Sequence, residues 1–262
     1  MNAEAPQESD RVRMRETDGA GPIMRQNWRN LLFLHWPLPP QAIQSRLPSG
    51  LTVDTFDGQA WIGAVPFTMD GIRRPGLPAI PGLRAMVELN VRTYVHRHRQ
   101  PGVWFFSLDA SHRLMVEVAR RFYHLPYFHA DMQCVPDAAV IRYSSRRIER
   151  GVAEAHFEAS WKVGEPLPQV LPDSLDFFLT ERYCLYTAHK DRLIQARVRH
   201  RPWPLRQAEL LSLQSNLLES HGLAVSATDP LLHHCDLLEV EILGFRTVAR
   251  LTENTWRAGR PS

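Results

Sequence analysis

The chain has 262 residues, 44% hydrophobic and 23% charged, with a formal net charge of +3. This profile fits a folded globular protein with a sizeable core and excludes a disordered or fibrous chain. No run approaches the ~18 apolar residues of a spanning helix, and the polar first 22 residues lack the apolar stretch of a secretory signal.

Residues 1–22 are therefore predicted to be a disordered tail and 23–262 one domain. Trp28 to Trp36 (WRNLLFLHW) is an apolar run suited to a buried strand. Residues 37–51 read as a short helix opened by Pro39 and Pro40 and closed near Pro48 and Gly50. Asp57-Gly58 between two β-prone runs over residues 51–69 predicts a tight hairpin. Gly71 to Ala85 is rich in Gly and Pro and predicts a long loop, either a lid or a plain connection. Glu88 to Val95 alternates strictly, with Glu88, Asn90, Arg92 and Tyr94 on one face and Leu89, Val91, Thr93 and Val95 on the other. Val103 to Leu108 is an aromatic strand. A helix follows, expected to bury Leu114, Met115, Val118, Ala119 and Phe122 and to stop at Pro126. Strands are predicted over IRYSSRR and AHFEASWKV, and a helix over residues 172–182 with Asp173 or Ser174 as N-cap. Residues 183–200 predict a hairpin turning at Lys190-Asp191. A strand near 206–213, a short helix ending at Gly222 and a last strand over 237–243 complete the reading.

Two features bear on chemistry. The polar face of the Glu88–Tyr94 strand either lines an enclosed interior or is solvated; if enclosed, Glu88 and Arg92 need partners, because unpaired buried charge is costly. Arg120, Arg121, Tyr123, His124, Tyr127 and His129 gather at the end of the helix before Pro126, where cations are already favoured by the helix dipole. His96-x-His98, His124 with His129, and His233-His234-Cys235 come nearest to metal-ligand spacing. None has a second ligand pair, so no metal or other cofactor is expected. A Gly-rich phosphate loop and a Gly-x-Ser-x-Gly elbow are both absent. Three widely spaced cysteines, Cys134, Cys184 and Cys235, fit reduced thiols in a cytoplasmic protein.

HWPLPP, GQAWIGAVPF, ELNVRTYV, GVWFFSLDA, ARRFYHLPY, FLTERYCLYT and PWPL occur in this order over roughly residues 24–245. Together they resemble the YqjF-like family, whose function is uncharacterised and whose fold stands beside acetoacetate decarboxylase. The resemblance implies a mainly β (α+β) fold: an acetoacetate-decarboxylase-like antiparallel β-barrel or sandwich with a few flanking helices and a pocket inside. It sets Glu88 at the strand glutamate of the decarboxylase cavity. Tyr127 and His129 fall where that enzyme carries its Schiff-base lysines. Here the only lysines are Lys162 and Lys190, and neither stands at a matching position, so imine chemistry is not expected.

The first functional expectation is thus a small organic molecule, anionic or carbonyl-bearing, held inside the fold. Glu88 would be the acid or base, with Asn90, Arg92, Tyr94, Tyr127 and His129 as binding residues. A non-catalytic binding or interaction module is the alternative. A third reading, nucleic-acid association through Arg142, Arg146, Arg147, Arg197, Arg199 and Arg201, ranks last, because a modest charge excess is weak evidence for it. No membrane partner is expected, and a homo-oligomer stays open.

Overall fold

The computed structural model describes every residue except 1–3, 17, 18, 20, 80–84, 226, 227 and 252–262. Strands dominate it. In chain order they are β1 (Met24–Leu38), β2 (Thr52–Val53), β3 (Ala60–Arg73), β4 (Ala85–Arg97), β5 (Gln100–Ala110) and β6 (Tyr127–Asp137), then β7 (Val140–Arg147), β8 (His156–Pro166), β9 (Cys184–His189), β10 (Arg192–Arg199), β11 (Arg206–Ser215) and β12 (Leu231–Arg250). The described helices are short: α1 (Glu8–Arg13), α2 (Pro40–Gln44), α3 (Arg113–Val118) and α4 (Leu175–Thr180).

The sheet closes on itself. Following the paired strands, β1, β3, β4, β5, β9, β10 and β12 form a ring, since β12 pairs with both β10 and β1. Strands β6, β7, β8 and β11 then bridge from β5 back to β12. Residues of β4 are buried on both faces as a result. Leu89 and Val91 pack with Leu32, Leu34, Tyr143, Phe157 and Trp161 in one core, between the ring and the bridging strands. Met86 packs with Leu31, Val65, Phe67 and Leu238 in a second core, inside the ring. This double burial explains why a half-polar, half-apolar alternation sits in a strand that meets almost no solvent.

Local signals explain most elements. Asp57 and Gly58 take positive φ (49° and 76°) between the bridged Phe56 and Gln59, but the expected hairpin ends at that one bridge, since β2 pairs with β4 and not with β3. Ser174 caps α4 by accepting from the Phe177 N–H at 3.2 Å. Lys190 turns β9 into β10 with φ 53°.

Four further expectations change. Within the span read as a disordered tail, Glu8–Arg13 form α1. The cause is ionic: Arg11 forks onto the buried carboxylate of Asp54 at 2.5 and 2.7 Å, Arg99 reaches Asp10 at 2.8 Å, and Arg15 meets Tyr183 Oη at 3.1 Å. A composition reading weighs apolar burial and misses ordering by guanidinium–carboxylate pairs. Gly71–Arg73 belong to β3 rather than to the loop, while residues 80–84 of the suspected lid lie outside the described residues. Strand β6 was not anticipated, and β12 extends well beyond 237–243 on both sides. Finally, Leu114 and Phe122 are 66% and 68% exposed, while Val116 and Ala119 are buried. After Val118 the helix widens into a π-turn over Ala119–Tyr123, closed by His124 at φ 55°. The wider spacing turns Phe122 outward and Tyr123 inward.

Candidate functional site

The polar face of β4 opens into a cavity of about 120 Å³ inside the seven-strand ring. Its walls are mostly apolar, and four methionines (Met24, Met69, Met86 and Met115) contribute to them. Methionine suits a surface that must adapt its shape. Met115 and Ala119 of α3 and the π-turn cover one side, so the helix before Pro126 does lie across the ring interior. Tyr123 stacks on Phe245 of β12, with ring centroids 4.9 Å apart, and both rings line the cavity.

Beyond Met86, three polar side chains of β4 line it at every second position: Glu88, Asn90 and Arg92. All are buried, at 3%, 5% and 6% exposure. The Tyr127 hydroxyl donates to Glu88 Oε2 at 2.8 Å. Burial raises the Glu88 carboxyl to about 8, against the lowering effect of that hydrogen bond. Near neutral pH Glu88 is therefore largely a neutral acid. Because Oε2 accepts from Tyr127, this arrangement favours the acid proton on Oε1. The Tyr143 hydroxyl donates to the Glu88 carbonyl at 2.6 Å and pins the strand. Tyr127 keeps its proton, since burial and the adjacent Glu88 push its hydroxyl far above the usual tyrosine range.

Arg92 is differently placed. Nη2 donates to the Leu179 carbonyl at 3.3 Å and lies 3.5 Å from Tyr94 Oη, and the guanidinium carbon sits 5.0 Å from the centre of the Phe33 ring. Nε has no hydrogen-bond partner. No carboxylate pairs with Arg92 among the described residues. The β4–β5 pairing shifts register here, with Phe106 of β5 as the extra residue, while β4 keeps its alternation and its regular pairing with β3. Asn90 Oδ1 also lacks a partner. The cavity lining thus includes one fixed cation, one neutral acid, the amides of Asn90 and Gln26, and the indole of Trp28; Asn90 Oδ1 has nothing to accept and Trp28 Nε1 has no acceptor among the described residues.

Two expected site residues do not reach the cavity. Tyr94 is fully buried behind Arg92; its hydroxyl donates to the Leu179 carbonyl at 2.7 Å and lies 2.6 Å from His35 Nε2. His35 stays neutral, its basicity suppressed by burial and then by the nearby Arg92 and His233. Tyr94 therefore backs Arg92 rather than shaping the cavity. His129 lies on β6, half-buried and away from the lining, with its backbone N–H donating to Glu149 at 3.2 Å. The buried positions of β6 shift from Tyr127 to Ala130 and Met132, and His129 falls off that face. Conversely, Gln26 and Trp28 of β1 and Phe245 of β12 line the cavity and were not anticipated. The i, i+2 pattern of Met24, Gln26 and Trp28 is the signal that could have found the first two.

Lys162 and Lys190 are both exposed, on β8 and in the β9–β10 turn, so no amine lines the cavity. Among the described residues, no group of three or more His, Cys, Asp or Glu side chains is placed to hold a metal. His233 and His234 instead lie 3.1 and 3.0 Å from Asp176 and Asp236. No described helix is long and apolar enough to cross a membrane.

A family model for DUF2071, described as an uncharacterized conserved protein, matches residues 25–239. The chain is 44% identical over 218 residues to the "Uncharacterized protein YqjF" of Bacillus subtilis (strain 168), covering 83% of this chain and 89% of that protein. Among solved structures it resembles the enduracididine biosynthesis enzyme MppR complexed with pyruvate, with TM-score 0.60, 14% identity and coverage of 89% and 93% of the two chains. It also resembles an acetoacetate decarboxylase-like enzyme from Sphingomonas wittichii RW1, with TM-score 0.59, 12% identity and coverage of 88% and 95%. At such identities the structural likeness establishes the fold, which is acetoacetate-decarboxylase-like.

Proposed function

This chain belongs to the DUF2071 family, and from that premise we propose that it binds a small organic anion in the interior of its seven-strand ring. The single observation that carries this reading is Arg92: a buried guanidinium lining a cavity with no carboxylate beside it. A buried cation without a counter-ion is costly, and an anionic ligand supplies one. Arg92 holds the anionic group, Glu88 offers a proton from Oε1, and the methionine-rich walls cover the apolar body. MppR, which shares the fold, is complexed with pyruvate, and a small carboxylate is the same ligand class. If the chain is an enzyme, Glu88 is its acid or base, and the chemistry runs without an imine because no lysine lines the cavity.

The test is a thermal-shift screen of small carboxylates on the wild type and on Arg92→Ala. A compound that stabilises only the wild type supports the reading, and it is then assayed for turnover with the Glu88→Gln variant. Recovery of that compound unchanged would favour a binding module without catalysis. No shift with any carboxylate, from well-folded protein, would overturn the pocket reading.

The pairing of the arginines supports this reading over phosphate binding. Arg142 and Arg146 lie 3.2 and 3.9 Å from Asp137 and Asp131, Arg147 is buried against Asp109 at 2.8 Å, and Arg199 pairs with Glu241. Arg197 donates to the Met14 and Glu16 carbonyls. Arg147, Arg197 and Arg199 are thereby engaged by the fold itself, whereas Arg142 and Arg146, 61% and 74% exposed, and the exposed Arg201 stay open to solvent. The three cysteines carry no disulfide, which supports a reducing, cytoplasmic setting.

A further inference from the structure

The polar groups of the cavity specify more than a negative charge. Asn90 is 5% exposed and its Oδ1 has no donor. Its neighbours on the strand stand about 7 Å away on either side: Arg92, which needs an acceptor, and Glu88, which offers a proton from Oε1. A ligand that answers all three groups carries an anionic acceptor for Arg92 and, beside it, one group that both accepts and donates. A hydroxyl does this, accepting from Glu88 and donating to Asn90 Oδ1. A ketone oxygen accepts from Glu88 but leaves Asn90 Oδ1 unpaired. An ammonium donates but brings a second cation into a cavity whose acid is neutral and whose only fixed charge is Arg92.

We propose that the cavity recognises a hydroxy carboxylate with a short apolar body, its carboxylate on Arg92 and its hydroxyl on Asn90 Oδ1. This rests on the pocket reading above and names the class of ligand within it. Asn90 is then the specificity-determining residue, distinguishing a hydroxyl from the ketone of the same skeleton.

The experiment is calorimetric titration of the wild type and of Asn90→Leu with 2-hydroxyhexanoate (each enantiomer), 2-oxohexanoate and hexanoate. In the wild type one hydroxy enantiomer should bind about 10-fold tighter than the keto acid, the effect of leaving one buried polar group unpaired. In Asn90→Leu that preference should disappear while the keto acid keeps its affinity. Asn90→Ala, with the same expectation, replaces Asn90→Leu if the larger side chain prevents folding. Equal wild-type affinity for hydroxy and keto acids would overturn the inference and leave the anion pocket standing. A hydroxyl preference that survives in the Asn90 variants would remove Asn90 from the role. Failure of every carboxylate to bind the wild type would overturn the pocket reading itself.

Discussion

The Tyr127 hydroxyl donates to Glu88 Oε2 at 2.8 Å across the β4–β6 boundary, and this bond orients the only acid among the described residues that line the cavity. Burial raises the Glu88 carboxyl from 4.5 to about 8 in the folded chain. Between those values the native state holds a proton that the unfolded chain has released. Stability from this group is therefore full below about pH 4.5, falls as pH rises and levels off above about 8. Glu88→Gln removes the titration. Urea unfolding of both proteins from pH 4 to pH 9 should show the wild type losing stability relative to the variant across that window. A constant difference would contradict a buried neutral acid.

Tyr127→Phe should raise the Glu88 carboxyl further, because the lost hydrogen bond is the influence that lowers it. The stability cost should be about 1 kcal/mol. A ¹³C-carboxyl NMR titration of Glu88 reads the direction; a downward shift would mean that the hydroxyl does not donate to this acid.

Arg92→Met should leave folding intact or raise the unfolding midpoint, because a buried guanidinium without a carboxylate is replaced by an apolar chain of similar length. The Leu179 carbonyl keeps its bond from Tyr94. The same variant should lose carboxylate binding. A large loss of stability would indicate that Arg92 is a structural anchor rather than a ligand group.

Arg11→Ala should cost about 1.5–3 kcal/mol, the range for charge-assisted hydrogen bonds, since it strips a two-pronged contact from the buried Asp54 carboxylate. Asp54 retains Arg182 at 2.8 Å, so the body of the fold should survive. Limited proteolysis should cut within residues 4–16 of the variant before any other site. Unchanged protection of that segment would show that α1 is held by its other contacts.

Gly63→Ala should destabilise by about 1–3 kcal/mol. A methyl group there would stand 2.9 Å from His35 Cδ2 and 3.7 Å from Arg92 Cγ. Gly63 is the register partner of Arg92, so carboxylate affinity should fall together with the unfolding midpoint. A variant with wild-type affinity would show that Arg92 tolerates the displacement.

The site's central strand was legible because every second residue of Glu88–Tyr94 is polar, and a ring with a second core outside it buries both of its faces. Tyr127 was legible from its place after the helix stop. Tyr94 and His129 were not: i, i+2 parity puts Tyr94 with Arg92 and His129 with Tyr127, but Tyr94 is engaged by the Leu179 carbonyl outside the cavity and the buried face of β6 changes after Tyr127. Such departures depend on contacts with distant segments and leave no local mark. Gln26 and Phe245 face the same cavity from opposite ends of the chain, a proximity created by ring closure alone. The helix α1 escaped notice because its anchoring acids, Asp54 and Glu181, are remote in sequence.

Ring closure also governs how this chain can meet another. Among the described strands only the two-residue β2 has a single neighbour; every other strand is flanked twice. Some of those contacts are short: β11 meets β12 only at Arg206↔His234 and β6 meets β5 only over Tyr127–His129, so most of both strands keeps one open edge of backbone amides and carbonyls, the kind of edge a second chain can extend. Association with a copy of itself or with another protein therefore has two routes, these strand edges and the side chains on the outer surface. Exposed Leu114 and Phe122, on the helical cover of the cavity, are the first positions at which to look for it.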